Sequence, residues 1–421
     1  AKGGFFGLSR TDNAGDMTRA ILQGVAFAIA DARDTLDIAD KPASQMIATG
    51  GGANNTYWLT LIASLTNCPI GVPKHANTGA ALGAGGSVDL GADTTGDTIG
   101  LTHANAITAS ATEAFEAAVT NFEKVTIAAS AGTGTINMAN LASVPTIEFT
   151  GAIGHATILS GMADNSSVTY KVANTAATTM TYATTSGTGA TGETLNLTMS
   201  AAATAAMSTI NAAGIEKVNI TSDDTSTAAA DQTAVHTITL TGSAITDVVV
   251  TGDAGLNLTA TGSTAITNFD ASGVTTNSAA VAASAGAGGV TYTSLNVTTG
   301  ATPTIKGGQG ADTLTGATGT AIAETIEGGD GIDTINGGPG VDTLSGGAGN
   351  DVFQFETAEL LGTDIIDGGD GTNDNISVLD ATNATNVVDA DFANMTNVES
   401  LTLVAGQVHN LTLGASSLAS G

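Results

Sequence analysis

The chain has one cysteine, Cys68, and six prolines in 421 residues. A lone thiol closes no disulfide within the chain, so covalent cross-links do not hold the fold. Aromatic residues make up only 4%, so the core must be filled by small and aliphatic side chains. Positive charge is also scarce, with ten Lys and Arg against 39 Asp and Glu and a formal charge of −29. That balance excludes nucleic acid as a partner, because phosphate binding needs Lys and Arg. No apolar run reaches the ~18 residues that would span a membrane. The opening residues, Ala1-Lys2-Gly3-Gly4, carry no charged-then-apolar leader, so no N-terminal signal peptide is expected there. The five histidines (His75, His103, His155, His236, His409) are scattered without ligand spacing. An HExxH helix motif is absent, which removes a zinc protease, and no Ser-His-Asp or Cys-His set is recognisable.

What is abundant is glycine (55 residues), with alanine and threonine, and the charge is unevenly placed. Residues 1–90 hold six Lys/Arg and seven Asp/Glu, a net of −1, so residues 91–421 carry −28. Two different kinds of sequence are joined. An acidic, cysteine-free surface suits cations or a non-sticky exterior.

From Gly307 the chain falls into nine-residue units. GGQGADTLT (307–315) is followed by a degraded stretch and then by GGDGIDTIN, GGPGVDTLS and GGAGNDVFQ without a break. Each unit opens on a glycine pair, with a third glycine in fourth place, Asp in sixth and a large apolar residue in eighth. Glycine lets the backbone turn with positive φ and aim carbonyls inward. Calcium takes about six to eight oxygens, mixing carboxylates with carbonyls, and such a turn offers both. The eighth residues, Leu314, Ile335, Leu344 and Phe353, begin short strands that point into a shared core. A flexible acidic linker has no reason to hold Gly, Asp and an apolar residue in one phase.

These units resemble the calcium-binding RTX nonapeptide, GGxGxDxUx, which builds a parallel β-roll. The resemblance implies several bound Ca²⁺ ions and a ligand set, residue by residue: Gly308, Gly310 and Asp312; Gly329, Gly331 and Asp333; Gly338, Gly340 and Asp342; Gly347, Gly349 and Asp351. A shifted unit, GGDGTNDNI, adds Asp374 one position late. Two units make one coil in the family, so Asp333 is expected to face Asp351 across one ion. Asp342 is expected to pair with the loop where Glu324 stands in the Asp place. A three-residue insertion, Gly316 to Thr318, leaves the pairing of Asp312 with the Asp333 loop open. Between Gly307 and Asp380 there are fourteen Asp/Glu and no Lys/Arg. Without cations such a segment repels itself, and calcium binding becomes folding free energy.

Residues 1–90 read differently. Gly7-Leu8 precedes a helix expected from Asp16 to Leu36, with Asp16 as N-cap and Met17, Ile21, Val25 and Ile29 as its apolar stripe. A short strand, Gln45 to Ala48, runs through a glycine turn (Thr49 to Ala53) into a helix from Thr56 to Thr66. Strand, glycine turn and helix N-terminus form a general approach to phosphates or nucleotides. Trp58, Tyr57 and Leu61 read as helix packing. Gly7-Leu8, Asp16-Met17 and Ala20-Ile21-Leu22-Gln23, with ATGGGANNTYWLTLIASLTNCPIGVPKHANTGAALGA, are similar to the C-terminal end of the FGGY carbohydrate kinases. The resemblance is xylulokinase-like and covers residues 3–84. It implies a small α/β piece of the actin-like ATPase (RNase H-like) type, with Gly50, Gly51, Gly52 and Asn54 against an adenosine. The family's sugar-binding domain and catalytic Asp have no counterpart here, and phosphoryl transfer needs a base and Mg²⁺ ligands. Neither bound ATP nor an enzymatic activity is therefore expected.

From Asp93 short alternating runs recur between glycine turns, as in Val168–Val172, Leu195–Met199, Thr237–Thr241 and Val290–Thr293. Such regularity predicts stacked coils or a strand meander; Ala201 to Ala213 reads as a helix or a long loop. TNFEKVTI (120–127) is echoed by GIEKVNI (214–220) and TNVESLTL (396–403), on both sides of the glycine-rich block. This texture resembles bacterial S-layer and large RTX surface proteins. The expected fold is mainly β, a Thr/Ala/Gly-rich β-solenoid or stacked-strand array with an embedded parallel β-roll. The expected divisions are a kinase-like fragment (1–86), a Thr-rich repeat region (87–305), the roll (306–377) and a further β unit (378–421). The resemblances imply a secreted structural protein at the cell surface, exported by a type I route. Its partners would be calcium and either further copies of itself or cell-surface glycan or lipopolysaccharide. The alternative is an inactive carbohydrate-kinase relative.

Overall fold

The computed structural model describes residues 25, 29, 46–47, 56–66, 70–71, 88–89, 97–115, 119–120, 122–129, 132–141, 146–173, 175–182, 192–228, 231–276, 287–379, 385–403, 409–412 and 414. The chain forms two compact units: Ala1–Asp93 with Glu113–Asn121, and Thr94–Thr112 with Phe122–Gly421.

In the first unit the helix Thr56–Thr66 stands where the sequence places it. Its last turn is closed by the Thr66 hydroxyl, which donates to the Ile62 carbonyl at 2.7 Å. The strand Met46–Ile47 pairs in parallel with Ile70–Gly71, and Val88–Asp89 pairs in parallel with Val119–Thr120. Val25 and Ile29 are helical, as expected for the first helix; the rest of that helix lies outside the described residues.

The second unit is a solenoid. Through most of its length successive strands alternate between a 13-stranded and a 12-stranded sheet, so that a strand pairs with the one two places on in the sequence; near the C-terminal end Thr385–Val388 intervenes and pairs instead with His409–Thr412. Every described pairing is parallel, and each coil contributes one strand to each sheet. Side chains alternate in and out along a strand, which is why Lys217–Asp224 alternates between exposed or half-exposed and buried positions throughout its length. The inward residues stack from coil to coil. In the larger sheet one column runs Val218, Val248, Phe269, Ile305, Ile326, Leu344, Ile366, Met395. In the smaller one it runs Ile238, Leu258, Tyr292, Leu314, Ile335, Phe353, Ile376, Leu401. Thus the Thr-rich region and the nonapeptide block share one core. The few aromatics are used inside it: Phe269 stacks on Tyr292 with ring centroids 3.9 Å apart, and Phe149 on Tyr170 at 5.1 Å.

One expectation needs correction. The alanine-rich stretch contains a strand, Ala206–Ala213, rather than a helix or long loop. Met207, Ile210 and Ala212 face the core, and the register against Val235–Thr241 shifts between Ala206 and Thr209. That irregularity breaks the simple alternation that would have marked the strand.

Candidate metal centre

The glycine turns lie on the two edges of the solenoid, and each delivers its acid to the start of the next strand. On the edge leading into the smaller sheet, the acids form a ladder. The backbone N–H of Asp312 donates to Oδ1 of Asp333 at 2.8 Å, that of Asp333 to Asp351 at 2.8 Å, and that of Asp351 to Asp374 at 2.7 Å. Asp374 N–H continues to Glu399 Oε2 at 2.8 Å. On the opposite edge Glu324 N–H donates to Asp342 Oδ1 at 2.9 Å, and Asp342 N–H to Asp364 Oδ1 at 3.0 Å.

Asp312 and Asp333 therefore sit on neighbouring rungs, although a three-residue insertion separates their units in sequence. The insertion falls in the turn on the other edge, between Thr313–Thr315 and Thr325–Asp330, so it lengthens that turn without displacing the ladder. Glu324 and Asp342 are brought together, as are Asp333 and Asp351. Asp364 and Glu399 lie outside the nonapeptide pattern. Asp364 lacks the glycine pair but keeps the Asp-x-apolar ending in Thr363-Asp364-Ile365-Ile366. Glu399 belongs to the repeated β unit. Its equivalents do the same work: Glu123 accepts the Asp97 N–H at 3.0 Å, and Glu216 the Glu193 N–H at 3.1 Å.

Asp312, Glu324, Asp333, Asp342, Asp351, Asp364 and Asp374 are all at most 1% exposed. While one oxygen of each rung accepts an N–H, the outer oxygens of Glu324, Asp333, Asp351 and Asp374 are buried with no hydrogen-bond partner. Among the described residues no lysine, arginine or histidine forms an ion pair with any of these acids. Burial accordingly pushes Asp333 and Asp342 up to about 8, Asp312 and Glu324 up to about 7 and Asp351 up to about 6. Asp364 and Asp374 are raised by the same cause. The neighbouring carboxylates Asp312 and Asp351 add to the shift at Asp333.

The glycines are there because the carbonyls and carboxylates crowd them. A Cβ at Gly328 would fall against Asp333 Oδ2 and the Gly346 carbonyl oxygen, and one at Gly346 against Asp351 Oδ2 and the Gly368 carbonyl. Carbonyls of Gly310 and Gly331 stack in the same way beside Gly331 and Gly349, whose φ values of 134° and 141° exclude most side chains. Among the described residues no three His, Cys, Asp or Glu side chains converge on one point. Each edge instead brings carboxylates together in pairs, and the further oxygens are main-chain carbonyls. An all-oxygen set with uncompensated negative charge fits a hard cation, since an unpaired buried carboxylate is costly.

Residues 304–321 and 318–353 match the RTX calcium-binding nonapeptide repeat, in four copies. These repeats bind calcium ions, so the chain carries a calcium-binding block. Residues 1–85 match the C-terminal domain of the FGGY family of carbohydrate kinases. Over 84 residues they are 33% identical to the xylulose kinase of Escherichia coli K12, covering 20% of this chain and 17% of that one. The xylulose kinase of Klebsiella pneumoniae is 35% identical over 85 residues, with the same shares, 20% and 17%. The chain thus spans less than a fifth of the length of the curated relatives it matches. Gly50, Gly51, Gly52 and Asn54 lie outside the described residues. Two of the described histidines are held by the fold: His103 Nε2 lies 2.9 Å from Thr157 Oγ1, and His236 lies between the Ala205 N–H and the Asp223 carbonyl. No described helix is long and apolar enough to cross a membrane.

Proposed function

We propose that residues 304–379 are a calcium-set section of a secreted structural protein of the cell surface or matrix, and that calcium closes the solenoid there. The observation that supports this most is the row of buried, unpartnered outer carboxylate oxygens at Glu324, Asp333, Asp351 and Asp374. On one edge the ions would be held by Asp312, Asp333, Asp351 and Asp374 with carbonyls of Gly308, Gly310, Gly329, Gly331, Gly347 and Gly349. On the other they would be held by Glu324, Asp342 and Asp364 with Gly338 and Gly340. Calcium supplies the positive charge that these turns lack, and its binding free energy adds to folding.

RTX repeats are typical of extracellular proteins. In this reading the chain crosses the calcium-poor cytoplasm unfolded, leaves by a type I route and folds outside, as an S-layer or adhesin segment does. The kinase-like fragment is a recruited or relic piece without activity. The divisions at residues 86, 305 and 377 belong to the same reading. The test is equilibrium dialysis of the full chain against calcium with far-UV circular dichroism on the same samples. Several ions bound per chain with a matching gain in β signal are expected. A chain that gains its full β signal in chelator at pH 8, or binds no calcium, would refute it.

A further inference from the structure

The two outer faces of the solenoid differ in a way the calcium reading does not use. The strands of the 13-stranded sheet carry Lys124, Glu148, Lys217, Asp247, Asp270, Lys306, Glu327 and Asp367, among others. The twelve strands of the other sheet contain no Asp, Glu, Lys or Arg at all. Their outward positions are mostly threonine, asparagine and serine in register, with Ile158, Val235, Val352 and Gln354 among them. One column runs Thr237, Asn257, Thr291, Thr313, Thr334, and the next holds Thr239 opposite Thr259, then Thr293, Thr315 and Asn336. Asn257, Thr259, Thr291, Thr293 and Thr313 are exposed, and Ile158 on the same face is 40% exposed.

We propose that this uncharged face is where a second copy of the chain docks, face to face; the proposal rests on the calcium-set fold described above. Charge selects the occupant. In a region with a net charge of −28, two copies repel wherever acids meet, and this face alone among the sheet surfaces brings no like charges together. Depletion of charge is also what marks the centre of protein interfaces. Threonine is stiff at χ1 on a strand, so ordering these side chains against a partner costs little entropy. Stacked, in-register polar ladders interdigitate well between sheets. Area suffices as well. Twelve strands at ~4.8 Å make a face about 55 Å long and on the order of 12 Å wide. Two such faces would bury about 1,300 Å² in all, above the ~1,000 Å² a specific interface needs. A neutral glycan fits less well, because the aromatic side chains of this sheet whose burial is described, Tyr292, Phe353 and Phe355, all lie in the core rather than outward against a sugar ring.

The experiment is sedimentation velocity of the full chain in calcium, over a hundredfold range of concentration, with circular dichroism on every sample. A monomer–dimer equilibrium is expected that added salt does not weaken, since the interface holds no ion pairs. Thr259→Lys combined with Thr293→Lys should shift the dissociation constant at least tenfold upward. Thr221→Lys on the other sheet should leave it within twofold. A folded wild-type chain that stays monomeric throughout, or a dimer indifferent to the paired substitution, would overturn the proposal. So would a monomer that instead pellets with a neutral crystalline solid such as ice or chitin. Circular dichroism in chelator separates these outcomes from failure of the calcium reading, in which the chain would show the same β signal with and without the metal.

Discussion

Replacing Asp333 by asparagine separates calcium binding from packing. Asp333 is fully buried, its Oδ1 takes the Asp312 N–H at 2.8 Å, and its own N–H reaches Asp351. Asparagine keeps the shape and the Oδ1 acceptor, and its amide nitrogen would take the place of Oδ2, which is buried without a hydrogen-bond partner. What it removes is a charge shared by the turns above and below. Extracellular calcium modules bind at ~10⁻⁴–10⁻³ M, so at about tenfold excess each site adds roughly 1.4 kcal/mol. Weakening two sites should therefore cost about 3 kcal/mol in calcium, a fall in Tm on the order of 10 °C. In chelator at pH 8 the sign should reverse or vanish, because burial opposes the charged form of Asp333 and the amide escapes that cost. Thermal melts followed by circular dichroism, with and without ~5 mM calcium, give both numbers. Asp330→Asn, at an exposed position of the same turn, should change neither. An equal loss with and without calcium would refute the reasoning, since it would mean that Asp333 acts by packing alone.

Further outcomes follow from the same geometry. The acids of the ladder have folded values raised from 3.8 to about 8 at Asp333 and Asp342, so the calcium-free fold binds more protons than the unfolded chain. Its stability should fall as pH rises from about 4 to 8; denaturant titration in chelator at pH 5 and pH 8 checks this, and saturating calcium should flatten the slope. Gly349→Ala places a Cβ against the Gly331 carbonyl at a φ of 141° and should cost about 2 kcal/mol or more, read as a lower denaturation midpoint in calcium. Phe353→Ala empties a fully buried position and should cost about 3–5 kcal/mol in calcium, measured the same way. ATP should neither bind to the full chain by calorimetry nor turn over in the presence of xylulose; saturable binding would revive the kinase reading.

Much of this architecture can be read from the residues, and the unread parts have physical causes. The apolar eighth positions, Leu314, Ile335, Leu344 and Phe353, announce the core columns because a fixed nine-residue phase has only one cause. The Thr-rich coils announce strands but not their sheet, since coil length varies and nothing local says which side a strand takes. Asp364 and Glu399 escaped because a rung requires only an acid at a strand start, accepting one N–H from the coil before; the glycines matter to the close approach of the neighbouring carbonyls, not to that bond. Ala206–Ala213 was obscured by alanine, which fits helix, loop and the buried face of a solenoid alike. The uncharged face was invisible for a related reason: strands that lie side by side in it come from segments two strands apart in sequence.

The most direct test of the central claim is amide hydrogen exchange across residues 304–379, with and without calcium. The account predicts that the N–H groups of Asp312, Asp333, Asp342 and Asp351, each bound to the acid of the next coil, are strongly protected with calcium at pH 8. In chelator they should exchange orders of magnitude faster. Equal protection in both conditions would contradict it, for the ladder would then stand without the metal.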